Sequence, residues 1–312
     1  LYLPKQLQPG APLVVVLHGC TQNAAVYDHG SGWSQLADRH GFALLFPEQQ
    51  RANNMNLCFN WYQPEDARRG GGEAESIRAM IGRMVDLHGI DPRRVYVTGL
   101  SAGGAMASVM LAAYPEVFSA GAIIAGLPFG AAENLGEALG AMSAPGQASD
   151  AALGKAVRAA SSHRGPWPRV SVWHGEADRL VVPENGQAIV RQWRDLHELP
   201  VRPNRVETVD GYPHRVWTDP SGHVLVEDYV VTGMAHGTPL SPGTGEGQLG
   251  QAGAHMLDVG LSSTDRIAAF FGIAPEPAAR AEPSRSDAEQ PAPANDVQDV
   301  IENALRAAGL MR

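Results

Sequence analysis

A serine between glycines, in the run Gly99-Leu100-Ser101-Ala102-Gly103, joins two segments of different secondary structure. The residues before it, Arg94–Thr98, are typical of a buried strand, and the residues after it, Ala105–Tyr114, are typical of a helix. So short a turn needs glycines where Cβ atoms would collide, and it raises the serine hydroxyl above the carboxyl edge of a parallel sheet. The run therefore predicts a strand–turn–helix unit; an ordinary serine in a tight turn is the alternative.

The rest of the chain alternates in the same way between short apolar runs and segments with helical periodicity. Leu13–Leu17 is a continuous apolar run, as expected of a strand covered on both faces, whereas Glu73–His88 repeats its apolar residues every three or four positions. Such alternation favours an α/β fold with a mostly parallel central sheet and helices on both faces. Two regions depart from it: Gly130–Arg164 predicts a helical insertion, and Arg205–Val231 predicts antiparallel strands.

Composition limits the kinds of function that this chain can have. Its 312 residues carry a formal charge of −9, so nucleic acid is not an expected partner. The longest mildly apolar stretch, Val117–Ala132, contains glycines and a proline and is shorter than the roughly 20 residues that span a membrane. We therefore expect neither a nucleic-acid partner nor a membrane span.

The composition changes abruptly after Ile273, and this change divides the chain. We predict a catalytic domain over 1–273, a flexible Pro/Ala-rich linker over 274–295 and an amphipathic helix over 296–312. The helix is expected to dock on the body or on a second subunit, which would make a homodimer. The chain begins at Leu1 instead of Met, so we expect that an N-terminal piece has been removed, and the sequence leaves the location open.

A serine hydroxyl becomes a nucleophile when a base removes its proton and a carboxylate orients that base. After an elbow of this kind the acid precedes the histidine along the chain. The loop after the strand Val170–Trp173 offers Asp178, with Glu176 as the alternative. His236 follows the strand Val224–Val231 and has a glycine on its C-terminal side, so we predict it to be the base.

Two other histidines, His223 and His255, are less well placed for that role, since one opens a hairpin strand and the other lies before the last helix. The negative charge that develops during attack also needs two backbone N–H donors. We predict the amide of Ala102, next to the nucleophile, and the amide of Cys20, in the loop after the first strand. His18 is interpreted as a buried histidine that supports this loop.

Five motifs in this order resemble the polyhydroxybutyrate depolymerase family of esterases, an α/β-hydrolase family that is also similar to feruloyl and acetylxylan esterases. They are His-Gly-Cys-Thr-Gln-Asn (18–23), Cys-Phe-Asn-Trp (58–61), Gly-Leu-Ser-Ala-Gly-Gly-Ala-Met (99–106), Trp-His-Gly-Glu-Ala-Asp (173–178) and Gly-Met-Ala-His-Gly-Thr-Pro (233–239). The resemblance covers about Leu1–Ile273. It implies the α/β-hydrolase fold and the triad of Ser101, Asp178 and His236.

The same resemblance implies a disulfide between Cys20 and Cys58, two cysteines that the sequence alone leaves as either a bridge or free thiols. A bridge would suggest secretion or a periplasmic location, with the cytoplasm as the alternative. Gln22 and Trp61 become candidates for substrate contact, although Trp61 is equally a candidate core residue. No Ser/Thr-rich linker or separate polymer-binding domain is visible, and the Pro-rich tail lies outside the shared pattern.

Together these features predict a serine esterase that cleaves short-chain hydroxyalkanoate polyester or its oligomers. It needs no metal or organic cofactor, because serine, histidine and backbone amides supply every role. The alternatives are a feruloyl or acetylxylan esterase, a peptidase with the same triad, and a non-catalytic binding protein on this fold.

Overall fold

A computed structural model describes residues 1–245 and 248–277. The strands are β1 (Leu13–Leu17), β2 (Ala43–Leu45), β3 (Val95–Leu100), β4 (Ala120–Ile124), β5 (Arg169–Gly175), β6 (Arg205–Val209), β7 (Tyr212–Thr218), β8 (Val224–Val231), β9 (Thr238–Leu240) and β10 (Met256–Asp258). The helices are α1 (Ala24–Ser31), α2 (Trp33–His40), α3 (Pro64–Ala67), α4 (Gly72–His88), α5 (Ala102–Ala113), α6 (Leu135–Ser143), α7 (Asp150–Ala160), α8 (Glu184–Leu196) and α9 (Ser263–Phe271).

Eight strands form one sheet in the order β2-β1-β3-β4-β5-β8-β7-β6. Every pairing from β2 to β8 is parallel, and the last two pairings, β8 with β7 and β7 with β6, are antiparallel. The predicted mostly parallel sheet is therefore confirmed, as are the predicted antiparallel strands at one end. β9 and β10 form a separate parallel pair.

The apolar runs of the strands are buried because helices cover both faces of the sheet. Along β1, Leu13, Val15 and Leu17 join one core cluster and Val14 and Val16 join the other, as the alternation of side chains in a strand requires. The first cluster takes its helical residues from α4–α8, and the second takes them from α1, α2 and α9. The sheet therefore separates two cores, and its parallel strands all end at one carboxyl edge.

The Gly130–Arg164 region contains two helices, α6 and α7, as the predicted helical insertion requires. Within the described residues, no helix is both long and apolar enough to cross a membrane. The described part of the chain belongs to one compact unit, Leu1–Ala279. The predicted catalytic domain over 1–273 remains a prediction, and most of the predicted linker and all of the predicted helix over 296–312 lie outside the described residues.

Candidate active site

Ser101 occupies the turn between β3 and α5, where the sequence predicts a candidate nucleophile. Its backbone angles are φ 57° and ψ −118°, a conformation that residues with a side chain rarely adopt. Two backbone hydrogen bonds hold the turn: the Ser101 N–H donates to Ile124 O at 2.9 Å, and the Ala105 N–H donates to Ser101 O at 2.8 Å. The half-buried serine therefore lies on a sharp elbow above the sheet edge.

Close backbone contacts explain the glycines around this elbow. A Cβ on Gly99 would lie 2.3 Å from Gly103 O, and a Cβ on Gly103 would lie 2.2 Å from Leu17 O. Both distances are far shorter than a carbon–oxygen contact allows. The first turn of α5 thus packs directly on the carboxyl end of β1, which brings Ser101, the candidate nucleophile, next to the loop that follows β1.

Asp178 and His236 form a short side-chain contact at the same edge. The Asp178 Oδ2 lies 2.7 Å from His236 Nδ1, and Oδ1 accepts the backbone N–H groups of Leu180 and Val181 at 2.9 and 3.0 Å. The carboxyl side chain is fully buried, whereas Glu176 is exposed. The structure therefore brings Asp178, and not the alternative Glu176, to the histidine.

The environment of Asp178 keeps this carboxylate ionised. Burial by itself would raise its pKa, but hydrogen bonds from His174 and His236 and the two backbone N–H groups more than offset burial, and the pKa lies well below the usual range. An ionised carboxylate only accepts hydrogen bonds, so the Nδ1 of His236 must be the donor. The Nε2 of His236 is then left to take a proton.

Backbone hydrogen bonds join the loop that carries Asp178 to the loop that carries His236. The Ala177 N–H donates to Met234 O, and the Glu176 N–H donates to Val231 O, both at 3.0 Å. The two loops follow β5 and β8, which are neighbours in the sheet, and β4 alone separates β5 from β3. The topology thus brings all three predicted residues to one sheet edge.

Two further histidines contact this pair: His174, to which the sequence assigned no role, and His255, which the sequence placed behind His236 as a candidate base. The Nε2 of His174 lies 3.4 Å from Asp178 Oδ2, and the Nδ1 of His255 lies 3.0 Å from His236 O, with the ring edge-on to the His236 ring. Burial lowers the pKa of His255. The only signal for His174 was its position four residues before Asp178. His223, by contrast, pairs with Asp219 on the surface.

The loop after β1 orients the amide of Cys20. The Nδ1 of His18 lies 2.8 Å from Gly19 O, and because a carbonyl only accepts, this nitrogen carries the hydrogen. In a trans peptide the C=O of Gly19 and the N–H of Cys20 point in opposite directions, so holding one aims the other. The Gly19 N–H is taken by Gln22 Oε1 at 2.9 Å. Cys20 therefore carries the amide that this loop can offer to an oxyanion.

The second candidate donor, the N–H of Ala102, belongs to the first turn of α5. N–H groups in the first turn of a helix have no acceptor within the helix. Within the described residues, neither this amide nor that of Cys20 donates to a protein acceptor. Both of the predicted donors are thus available to a ligand.

A polar network supports His18 from behind. The Gln49 N–H donates to His18 Nε2 at 3.1 Å, and the Gln49 side chain donates to Cys58 O at 3.1 Å and to Glu73. Glu73 also accepts the Asn60 N–H at 2.8 Å. Burial raises the pKa of Glu73 to about 7 and lowers the pKa of His18, so the His18 ring stays neutral with its hydrogen on Nδ1.

Cys20 and Cys58 form the predicted disulfide, which joins the loop after β1 to the segment before Trp61. A hydrogen bond from Thr21 N–H to Asn56 O at 2.8 Å joins the same two segments. Trp61 is 8% exposed and packs edge-on against Tyr62, a placement that favours its interpretation as a core residue. Gln22 is 7% exposed, and its amide oxygen is occupied by Gly19.

The described residues contain no group of three or more His, Cys, Asp or Glu side chains arranged to hold a metal ion. The candidate site instead combines a half-buried hydroxyl at the sheet edge, an imidazole bound to a carboxylate, and two backbone amides without a protein acceptor. These are the kinds of group that a serine hydrolase uses.

The family model "Esterase PHB depolymerase" matches residues 1–199 of the chain. Poly(3-hydroxyalkanoate) depolymerase C of Paucimonas lemoignei is 48% identical over 273 residues, which are 87% of this chain and 66% of that protein. The chain thus spans just under two thirds of the depolymerase. Feruloyl esterase B of Thermothelomyces thermophilus is 32% identical over 231 residues, with 70% of this chain and 75% of that protein covered.

Among solved structures, the acetyl xylan esterase from Aspergillus awamori superposes with a TM-score of 0.71 at 22% identity, covering 88% of this chain and 93% of that one. At this identity the likeness concerns the fold, and it confirms the predicted α/β-hydrolase architecture.

Proposed function

The chain belongs to the PHB depolymerase family of esterases, and we propose that it hydrolyses short-chain hydroxyalkanoate esters through an acyl-enzyme on Ser101. The observation that carries this proposal is the 2.7 Å contact between Asp178 Oδ2 and His236 Nδ1 at the sheet edge where the Ser101 elbow lies. This pairing holds the imidazole in the tautomer whose free nitrogen accepts a proton.

In the first half of the reaction, His236 Nε2 removes the proton of Ser101 as the oxygen attacks the ester carbonyl. Asp178 holds the imidazole and stabilises the imidazolium that forms, without itself taking the proton. The imidazolium then donates its proton to the leaving alcohol, and the acyl group stays on Ser101. In the second half, water attacks the acyl carbonyl while His236 Nε2 takes its proton. The imidazolium then returns this proton to Ser101 Oγ as the bond between Oγ and the acyl carbon breaks, and the carboxylic acid leaves.

Both tetrahedral intermediates carry a negative oxygen, and the amides of Cys20 and Ala102 are the donors for it. Loss of one such donor typically costs about 2.7–4 kcal/mol of transition-state stabilisation. The Cys20 amide is pre-oriented by His18 through the Gly19 carbonyl and by the disulfide to Cys58. The chain supplies every group for this chemistry, and no metal or organic cofactor enters the scheme.

Ser101→Ala tests the proposal directly. We expect it to abolish turnover of a short-chain nitrophenyl ester, by roughly 10⁴-fold or more, while the fold is retained. A serine-directed phosphonate should label the wild-type protein at Ser101 and leave the variant unlabelled. Substantial turnover by the alanine variant, with an unchanged melting temperature, would overturn the assignment.

The hydroxyalkanoate substrate is supported by the depolymerase at 48% identity, whereas the feruloyl esterase is 32% identical. Feruloyl or acetylxylan esters are therefore the second candidate. A panel of hydroxybutyrate oligomers, feruloyl esters and acetylated sugars, compared by kcat/KM, separates them. A peptidase would prefer amide substrates in the same assay, and a non-catalytic binding protein would resist the phosphonate.

The disulfide supports an oxidising compartment, so we propose an extracellular or periplasmic location, with a cytoplasmic one as the alternative. We expect an ester substrate as the partner, and we expect neither nucleic-acid binding nor membrane binding. The proposed homodimer depends on the helix predicted over 296–312, which lies outside the described residues.

A further inference from the structure

The His174 ring lies beneath the candidate acid, near the carboxyl end of β5. Its Nε2 lies 2.7 Å from Val181 O and 3.4 Å from Asp178 Oδ2, and its side chain is 6% exposed. The catalytic scheme above gives this buried histidine no proton-transfer step. It nevertheless contacts the carboxylate that holds His236.

The contacts define which nitrogen of His174 carries hydrogen. The two oxygens beside Nε2, a carbonyl and a carboxylate oxygen, only accept hydrogen bonds, so Nε2 is the donor. The Nδ1 is buried and has no hydrogen-bond partner within the described residues. Gly186 packs against that side of the ring, where a Cβ would lie 2.8 Å from Nδ1. The ring therefore directs its Nε2 hydrogen towards the turn that contains Asp178.

This N–H completes a closed set of hydrogen bonds around the turn. The Val181 N–H donates to Asp178 Oδ1, and the Val181 carbonyl accepts from His174. Asp178 Oδ1 is thus held by backbone, and Oδ2 is held between His236 at 2.7 Å and His174 at 3.4 Å. Contacts at both oxygens restrain rotation of the carboxylate away from His236.

We propose that His174 is a positioning residue, which holds the Asp178 carboxylate and its turn in the orientation that the catalytic histidine requires. The inference rests on the proposed esterase function of the same site. His174 acts through Asp178 and touches no substrate atom. Its removal should therefore lower kcat and leave KM nearly unchanged, because misplacement of a catalytic group affects the chemical step.

Two substitutions of nearly equal size separate this role from simple packing. In His174→Gln the amide nitrogen reaches the position of Nε2, so the donor is kept. In His174→Asn the amide nitrogen reaches only the position of Nδ1, where no partner exists within the described residues. His197 provides the matched control, because its Nε2 lies 3.0 Å from Pro168 O, away from the candidate triad.

The measurement is kcat and KM for a nitrophenyl ester, expressed per site labelled by the serine-directed phosphonate, so that unfolded protein lowers the site count and not kcat. We expect His174→Asn to lower kcat by about 10- to 100-fold with KM within about twofold. His174→Gln should recover most of that loss. His197→Asn should lower the melting temperature and keep kcat.

Equal kcat values for the two His174 variants, or a kcat for His174→Asn close to the wild-type value, would overturn the inference. A decrease that the His197 variant reproduces would assign His174 a packing role only. Failure of the proposed function has a different signature: the wild-type protein itself would neither cleave the ester nor react with the phosphonate.

Discussion

Ser101 has a positive φ of 57°, although it is not glycine. A residue held in such a conformation costs about 1–3 kcal/mol, and the surrounding structure must supply that energy. The stabilisation comes from the backbone hydrogen bonds of Ser101 with Ile124 and Ala105 and from the contact between α5 and β1. At the scale of single residues, the candidate site thus combines a strained serine with a carboxylate and a peptide group that are both held in place by hydrogen bonds.

Glu73 is a second residue whose burial has a measurable consequence. Burial raises its pKa from 4.5 to about 7, so the folded protein binds this proton more tightly than the unfolded chain does. Its contribution to the free energy of unfolding is fully present below pH 4.5 and is lost as the pH rises towards 7. Between pH 4.5 and about 7, we expect the free energy of unfolding of the wild-type protein to fall by about 2–3 kcal/mol relative to that of Glu73→Gln.

Chemical denaturation of both proteins between about pH 4.5 and 8 measures that difference. Glu65→Gln serves as the control, because the Glu65 side chain is 78% exposed, and its unfolding curve should follow that of the wild type. Unfolding free energies of wild type and Glu73→Gln that stay parallel over the whole range would contradict the prediction.

At the scale of elements, the contact between α5 and β1 determines where Ser101, the candidate nucleophile, lies. Gly103 allows the helix to approach Leu17 and His18, whose carbonyl oxygens would lie 2.2 and 2.5 Å from a Cβ. Both atoms are backbone, so they cannot move aside as a flexible side chain would. The loop after β1 carries the candidate oxyanion amide, and this approach sets its distance from Ser101.

Gly103→Ala should therefore move α5 away from β1, with a loss of at least about 2 kcal/mol of stability and a marked loss of kcat. Gly82→Ala is the matched control, because Gly82 lies inside α4 and a Cβ added there would have no neighbouring atom within 4 Å. That variant should gain about 0.5–1 kcal/mol from the better helix propensity of alanine. Thermal unfolding and ester turnover measure both, and a neutral Gly103→Ala would refute the packing argument.

At the scale of the whole molecule, the disulfide joins two segments that are 38 residues apart in sequence. Closing a loop of this length stabilises a folded chain by about 4 kcal/mol in the chain-entropy description. The bridge also fixes the loop of Cys20 to the segment that carries Asn60 and Trp61. Overall stability and the orientation of one candidate oxyanion donor, the Cys20 amide, are thus expected to depend on the same bond.

Replacement of both cysteines, Cys20→Ala with Cys58→Ala, is expected to lower the free energy of unfolding by about 3–4 kcal/mol. We also expect kcat to fall by about 10²-fold, as for loss of one oxyanion donor. Denaturation and turnover with and without reductant measure both effects. Reductant should change neither the stability nor the turnover of the double variant. If reductant also left the wild-type protein unchanged, the disulfide would contribute neither to stability nor to kcat.

Sequence patterns predicted most elements because their residues are either buried on both faces or periodic. Leu13–Leu17 and Val224–Val231 were predicted with the bounds that the structure has, and Glu73–His88 differs from α4 by one residue. Short local signals were less exact: the predicted helix Ala105–Tyr114 begins three residues earlier, at Ala102. Gly103 and Gly104 lie in the first turn of α5, and because glycine is a poor helix former, the sequence pattern placed the start of the helix after them.

The residues of the candidate site also differ in how far the sequence alone could identify them. Ser101 could be found from its neighbours, since the glycines beside it are required by local geometry. Asp178 was predicted over Glu176, but residue type and spacing left Glu176 open because both follow the same strand. The fold shows that Asp178 is the carboxylate in contact with His236. Gln49 and Glu73 were missed because no local pattern marks side chains whose partners are distant in sequence, as Gln49 is from His18 and Glu73 is from Gln49. His174 lies only four residues before Asp178, but this spacing alone does not show that its ring contacts the carboxylate.

The sequence by itself determined the alternation of strands and helices, the elbow at Ser101 and the order of acid and base, because these follow from residue type and spacing along the chain. Only the tertiary structure decided which carboxylate holds His236, which peptide offers its amide, and which buried histidine contacts Asp178. Those outcomes depend on where chain segments meet in space, and burial and hydrogen-bond geometry, which act across segments, select among residues that the sequence leaves equivalent.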